Sequence, residues 1–471
     1  MLFSSLIFIS CFLPIVLLLY YTVFRFSRKL QNIFLLVVSL GFYAWGEPKF
    51  VFILITSVLV NWIFGLIISK VREDKPKSTI TIAIMLIFNI SIIFVFKYLM
   101  FTMENIQNIT GLKFNIPEII LPIGISFFTF QAISYVIDVY RERGQAQKNP
   151  LNVGLYIAFF PQLVAGPIVR YETVADQIQN RKENFDDISA GICRFLIGFS
   201  KKVLLANNLA LVADKAFKLL GTDDLSLAMA WLGALCYTLQ IYYDFSGYSD
   251  MAIGLGKMFG FHFDENFNYP YISKSATEFW RRWHISLGTW FRDYVYIPLG
   301  GNRVNSNKRL FFNLFVVWAL TGLWHGANWT FICWGLLYFV ALSIEKAVGL
   351  DKMQSHAMLR HLYTMLLVMF GWVIFRAETI SDALLYLKTM FIPGSSGLID
   401  AEALVCTKEY IVFLFCGVLF ARPFAKKLAK TKLAKTRMAQ ILYVIVLTGL
   451  FLASISYLVK GAYNPFIYFN F

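Results

Sequence analysis

The chain has 471 residues, 58% hydrophobic and 15% charged, where a soluble domain carries roughly a quarter charged residues. Its apolar residues come in runs of about 20, the length that crosses a bilayer core as a helix, which excludes a soluble globular protein. The net charge of +15 comes from 43 Lys and Arg that cluster between those runs, where basic loops hold the cytoplasmic side and meet anionic lipid, so a nucleic-acid partner is not expected.

The predicted architecture is all-α and multi-pass. The first apolar run, 2–22, has no basic n-region before it and no small-residue cleavage site, so it reads as a retained helix rather than a signal peptide. Runs 31–45, 51–69, 79–97 and 119–138 follow. Arg25, Arg28 and Lys29 place the first loop in the cytoplasm and the N-terminus outside; Lys70, Arg72, Lys75 and Lys77, then Arg141, Arg143 and Lys148, agree. The run 150–168 breaks the alternation, because Lys148 and Arg170 make both flanks basic. It contains Phe160-Pro-Gln-Leu-Val-Ala-Gly-Pro167, whose prolines and glycine would leave backbone groups unpaired in lipid, so a re-entrant segment buried in protein is expected.

Runs 189–211 and 225–243 come next. Region 244–308 mixes Trp, Tyr, Phe, Arg and Gly in a way that suits an interface or a protein-lined cavity. Within it, Phe279, Trp283, Trp290 and Tyr294 recur near helical spacing, as in a helix at headgroup level, with Trp280, His284 and Arg292 on another face. Pro298-Leu-Gly-Gly301 ends it. Runs 309–325, 327–346, 360–375, 407–421 and 438–458 complete the chain. Lys and Arg residues between Arg422 and Arg437 place that loop inside, while the acidic 376–407 loop and the C-terminus fall outside. With 150–168 set aside, about a dozen crossings remain, in one integral-membrane domain spanning 1–471.

Two of the five histidines sit in the most aromatic stretches: His284 in Glu278-Phe-Trp-Arg-Arg-Trp-His-Ile-Ser286, and His325 in Leu320-Thr-Gly-Leu-Trp-His-Gly-Ala327. An ionisable group in or beside a bilayer marks function by default, and imidazole moves protons near neutral pH. Gly322 and Gly326 flank His325 and would let a substrate or another backbone approach closely. The plainer alternative is a histidine hydrogen-bonded to a carbonyl for packing. Arg281, Arg282 and Arg292 near His284 could equally form a basic face towards headgroups. The cysteines (Cys11, Cys193, Cys236, Cys333, Cys406, Cys416) form no CxxC pair and read as small hydrophobes; no metal site is expected. There is no GxSxG elbow and no GxxxxGK[ST] loop. Asp138, Asp244, Asp250 and Asp293 lie near aromatic clusters, as proton relays or as partners of nearby arginines.

The stretches Trp280-Arg-Arg-Trp-His-Ile-Ser-Leu-Gly-Thr-Trp-Phe-Arg-Asp-Tyr-Val-Tyr-Ile-Pro-Leu-Gly-Gly-Asn-Arg303 and Leu320–Ala327 resemble the signature of the membrane-bound O-acyltransferase family. Its bacterial branch, with the alginate and peptidoglycan O-acetyltransferase membrane subunits and the teichoic acid D-alanyl transfer protein, is the most similar. Phe159–Ile168, Tyr242–Asp250 and the opening Met1-Leu-Phe-Ser-Ser5 match that branch as well.

The resemblance implies transfer of an acyl group, most simply acetyl from acetyl-CoA, from a cytoplasmic thioester to a hydroxyl on the outer side, within a catalytic core of about 119–346 that surrounds a central tunnel. It implies no bound cofactor. His325 matches the family's catalytic histidine and His284 its second one. Arg292 and Arg303 match arginines that steady the donor or line the tunnel, alongside Trp283 and Trp324. The tail 463–471, Phe466-Ile-Tyr-Phe-Asn-Phe471 above all, resembles an aromatic acyl-carrying tail of that branch. Tyr468 is then a candidate carrier, with an outer aromatic belt as the alternative. Implied partners are a thioester donor, membrane lipids, an extracytoplasmic esterase-like (SGNH-type) transferase and a cell-envelope polysaccharide acceptor, in a bacterial cytoplasmic (inner) membrane. D-alanyl transfer to teichoic acids, a transporter of acyl groups without chemistry and a scaffold acting through loop 376–407 are the rival readings.

Overall fold

The computed structural model describes the chain except Ala165, Asp223, Asp351, Lys352, Ala462, Phe466 and 468–471. Its described secondary structure is entirely helical. The cause is the solvent: in hydrocarbon every backbone N–H and C=O must be satisfied internally, and a helix does so within one segment. Among the described residues seven helical stretches are long and apolar enough to cross a membrane: Val51–Val71, Lys75–Thr110, Phe185–Lys218, Trp329–Val348, Ala357–Arg376, Ala401–Phe420 and Arg437–Val459. Runs 2–22 and 119–138 correspond to the shorter apolar helices Phe8–Tyr21 and Ile125–Tyr140. The protein is thus a multi-pass helical membrane protein. Several helices start on polar caps that satisfy their first free N–H groups: Ser306 accepts from Arg309 N, Asn328 from Thr330 N, Asp400 from Ala403 N and Thr436 from Ala439 N.

The chain divides into two compact units. The first comprises Met1–Phe195 with Met251–Asp264. Here 150–168 is broken into Pro150–Ala158 and Phe160–Leu163 by Phe159, whose ψ of 116° leaves the helical region. The break is enclosed by protein, and several of its polar groups find partners. Phe160 N donates to Ser39 Oγ (3.1 Å), Tyr156 Oη donates to Val169 O (2.9 Å), and Gln162 Nε2 donates to Tyr156 O. That enclosure is what irregular backbone in a membrane protein requires. Val51–Val71 and Lys75–Ile93 are joined by a buried amide pair, Asn61 and Asn89, each donating to the other's oxygen at 3.1 and 2.8 Å.

The second unit comprises Leu196–Asp250 with Glu265–Phe471. Its centre is a helical hairpin, Asn307–His325 and Trp329–Val348. Glycine lets the limbs meet backbone to backbone: a Cβ on Gly322 would lie 2.5 Å from Phe331 O, and one on Gly335 2.5 Å from Trp318 O. The small residues expected beside His325 therefore serve approach of another part of the chain, and Gly326 likewise makes room for the Phe331 ring.

One sequence expectation fails in this unit. Residues 279–294 do not form one helix. Ala276–Arg282 stops, Trp283 is extended (φ −102°, ψ 130°), His284 is left-handed (φ 45°), and Ile285–Phe291 begins anew before a π-helical turn Arg292–Tyr296. The reason lies outside the segment: the Ile285 N–H goes to Asn266 O (2.9 Å) and the Ser286 N–H to Asn266 Oδ1 (3.1 Å). Trp280, His284 and Arg292 consequently share no helical face.

Candidate active site

The Asn307–His325 helix ends on His325, and Gly326 leaves it extended (φ −175°, ψ 161°). A helix-terminal imidazole cannot be covered by a following turn of its own helix, so the enclosure comes from neighbours. His325 is 8% exposed. Its ring lies 4.9 Å from Trp324, 5.0 Å from Trp334, 5.0 Å from Phe375 and 6.5 Å from Phe331, mostly edge to face. Phe331 and Trp334 come from the second limb of the hairpin, and Phe375 from Ala357–Arg376.

His284 is brought to the same cluster by the break just described. Its ring lies 6.0 Å from Trp324, which therefore contacts both imidazoles. His284 is buried, and burial pushes its pKa down to about 3, so it is neutral at physiological pH and presents one N–H and one lone pair. Trp283 packs on Phe279 (5.5 Å) and Trp372 (4.8 Å), holding the wall behind His284.

The enclosure has polar points. Trp334 Nε1, Trp280 Nε1 and Tyr338 Oη are buried without a hydrogen-bond partner among the described residues. Their rings form one group, Trp280 to Trp334 at 5.4 Å, Trp280 to Tyr338 at 4.8 Å and Trp334 to Tyr338 at 5.2 Å. Buried donors are normally paired; of these three rings Trp334 packs against His325, and Trp280 and Tyr338 pack behind it.

Arg292 and Arg303 lie elsewhere. Both are exposed, and Arg292 is ion-paired with Asp293 at 2.7 Å. They form no part of the ring enclosure around His325. Arg282, grouped with them by sequence, pairs with Glu278 at 2.9 Å. Tyr468 lies outside the described residues. Of the four carboxylates, Asp293 pairs with an arginine, Arg292, whereas Asp244 and Asp250 pair with lysines, Lys202 (2.7 Å) and Lys201 (2.6 Å). Among the described residues no group of His, Cys, Asp and Glu could hold a metal ion, and all six cysteines are free thiols.

Sequence reasoning missed two supports of the site. Glu345, fully buried on Trp329–Val348, accepts from Ala276 N (2.5 Å), Thr277 N (2.9 Å) and Thr277 Oγ1 (2.8 Å). It thereby caps the helix that leads to Trp283 and His284. An acid inside the run 327–346 was the available signal. Asn266 holds the far side of the His284 break, and nothing local announces it.

Fold and site together define a helical membrane protein with an imidazole enclosed by aromatic rings. Its class is settled by comparison: the sequence model of the membrane-bound O-acyltransferase family matches residues 141–380, and the chain belongs to that family. Over its full length it is 41% identical to a probable alginate O-acetylase of Pseudomonas putida, covering 100% of both chains. It is 36% identical to a peptidoglycan O-acetyltransferase of Helicobacter pylori over 88% of this chain and 83% of that one. A teichoic acid D-alanyltransferase of Bacillus subtilis is 31% identical over 47% of this chain and 58% of its own. The protein is a membrane O-acyltransferase of the O-acetyltransferase kind.

Proposed function

We propose that this enzyme takes acetyl from acetyl-CoA on the cytoplasmic side of a bacterial inner membrane and passes it to a hydroxyl for O-acetylation of an exopolysaccharide or cell-envelope polymer. The observation that carries the reading is the enclosed imidazole of His325 among Trp324, Trp334, Phe331 and Phe375. A hydroxyl is a weak nucleophile at neutral pH and needs a base within hydrogen-bond reach. His325 accepts the hydroxyl proton as the oxygen attacks the thioester carbonyl. The tetrahedral intermediate collapses, the C–S bond breaks, and the imidazolium returns the proton to the leaving thiolate. The oxyanion needs a donor that is in place beforehand; the Trp334 N–H, on a ring packed against His325, and neutral His284, on a ring packed against Trp324, are candidates for that role. Arg292 and Arg303, exposed as they are, suit the phosphates of a donor at the protein surface.

Delivery outward falls to Tyr468 as a transient acyl carrier, and an extracytoplasmic esterase-like transferase of SGNH type completes transfer to sugar hydroxyls. Full-length similarity to O-acetylases favours acetyl over D-alanyl, since the D-alanyltransferase relatives cover about half of the chain. Acyl release from radiolabelled acetyl-CoA by purified protein in vesicles is the test. His325→Ala should lower the rate by about 10²–10⁴-fold with normal membrane insertion. A well-inserted, active His325→Ala variant would overturn the assignment and favour a transporter or scaffold. Intact-mass measurement after incubation with donor tests Tyr468: no adduct at that position, with turnover intact in Tyr468→Phe, removes the carrier.

A further inference from the structure

The acyl-transfer chemistry leaves one buried charge pair of the second unit unused. Lys202, in the π-helical stretch Lys201–Ala206, and Asp244, in Leu227–Met258, lie 2.7 Å apart with both side chains 2% exposed. Removing two charges from water is costly unless their remaining bonding capacity is met. Among the described residues the further bonds to the pair come from one stretch of this chain. Lys202 Nζ also donates to Pro465 O, and Ile467 N donates to Asp244 Oδ2 at 3.1 Å. Asn207 adds a bond from its Nδ2 to Asn464 Oδ1 at 3.1 Å. Ile467 is 5% exposed and belongs to the same buried cluster as Trp283, Trp334 and Phe375. Asp244 is followed by Phe245, whose ring lies 6.5 Å from Trp283.

We propose that Lys202 and Asp244 are positioning residues that latch Pro465 and Ile467, with Asn464 beside them, into the catalytic unit, making these residues an internal component of the acyl-transfer site. The inference rests on the reading that transfer occurs at His325 in that unit. The latch grips main-chain groups, a carbonyl and an N–H two residues apart, so it fixes the path of the segment rather than selecting its side chains. Beyond each other and this segment, neither charge has a described hydrogen-bond partner, which is the arrangement expected if the pair is retained for the segment it holds.

Hydrogen–deuterium exchange of the full chain in lipid nanodiscs, read on peptides containing Ile467, tests the latch. The unaltered protein should protect that amide. Asp244→Ala and Lys202→Met should each speed its exchange by about tenfold or more, and Lys202→Arg should restore protection. Peptides from Trp329–Val348 should exchange as before, which separates release of the segment from unfolding. Asn207→Ala, which loses only the bond to Asn464, provides a mild variant in which partial release is expected. Unprotected Ile467 in the unaltered protein, or unchanged protection in both charge variants, overturns the latch. Acetyl transfer should fall in step with release; full activity with the segment released overturns its membership of the site. The two readings fail separately: an active His325→Ala variant with normal latch behaviour sinks the assignment of transfer to His325 and leaves the latch standing.

Discussion

Trp334, whose indole N–H has no described acceptor, packs its ring 5.0 Å from that of His325. Trp334→Phe keeps most of the ring and removes the donor. If that N–H receives the oxyanion, kcat should drop by about 10²-fold with KM for acetyl-CoA nearly unchanged, measured by thiol release. An equal change in KM would mean the group serves ground-state binding instead. His284 offers a pH prediction. Its folded pKa of about 3 lies below the ordinary value of 6.5, so the unfolded chain binds the extra proton between these values. Stability is therefore lost as pH falls below about 6.5, by about 2 kcal/mol at pH 5. Thermal denaturation at pH 7 and pH 5 should show a smaller acid sensitivity in His284→Gln than in the unaltered protein. Arg292→Ala should raise KM for acetyl-CoA severalfold and weaken its dependence on salt, with kcat preserved.

Among the elements, the short helix Ala276–Arg282 depends on a carboxylate more than sixty residues away. Glu345→Ala strands three donors at its N-terminus, which costs about 2–5 kcal/mol; Glu345→Gln keeps acceptor oxygen and should lose less. Melting of both variants in detergent orders them, and equal melting temperatures would show that the cap contributes nothing. This element also marks where sequence reading stops. Long helices such as Val51–Val71 and Arg437–Val459 were legible because one property, a bilayer-length apolar run, decides them. The break in 150–168 was legible because prolines and a glycine announce it. The break at His284 was not: Trp-His-Ile carries no breaker, and the helix yields there because Asn266, eighteen residues earlier, takes the N–H groups. The site was legible as residue types, two histidines among tryptophans, through resemblance to a known signature. Which rings face which imidazole, and the departure of Arg292 and Arg303 from the enclosure, follow from tertiary packing that no spacing encodes.

For the whole molecule, the basic loops predict that the thioester reaches the site from the cytoplasmic face. Vesicles of opposite orientation, supplied with acetyl-CoA that cannot cross the bilayer, should acetylate only when that face is outward; equal rates in both would reverse or abolish the assigned direction. The glycine notches of the central hairpin carry a mechanical corollary. Gly322 abuts Phe331 O and Gly335 abuts Trp318 O, with no room for even a methyl group. Sliding one limb by a residue would drive a Cβ into a peptide plane, so the limbs engage at one register like a key in its wards. Thinner or thicker bilayers then lean the pair as a rigid body, and the imidazole keeps its height against Trp334 whatever lipid surrounds it.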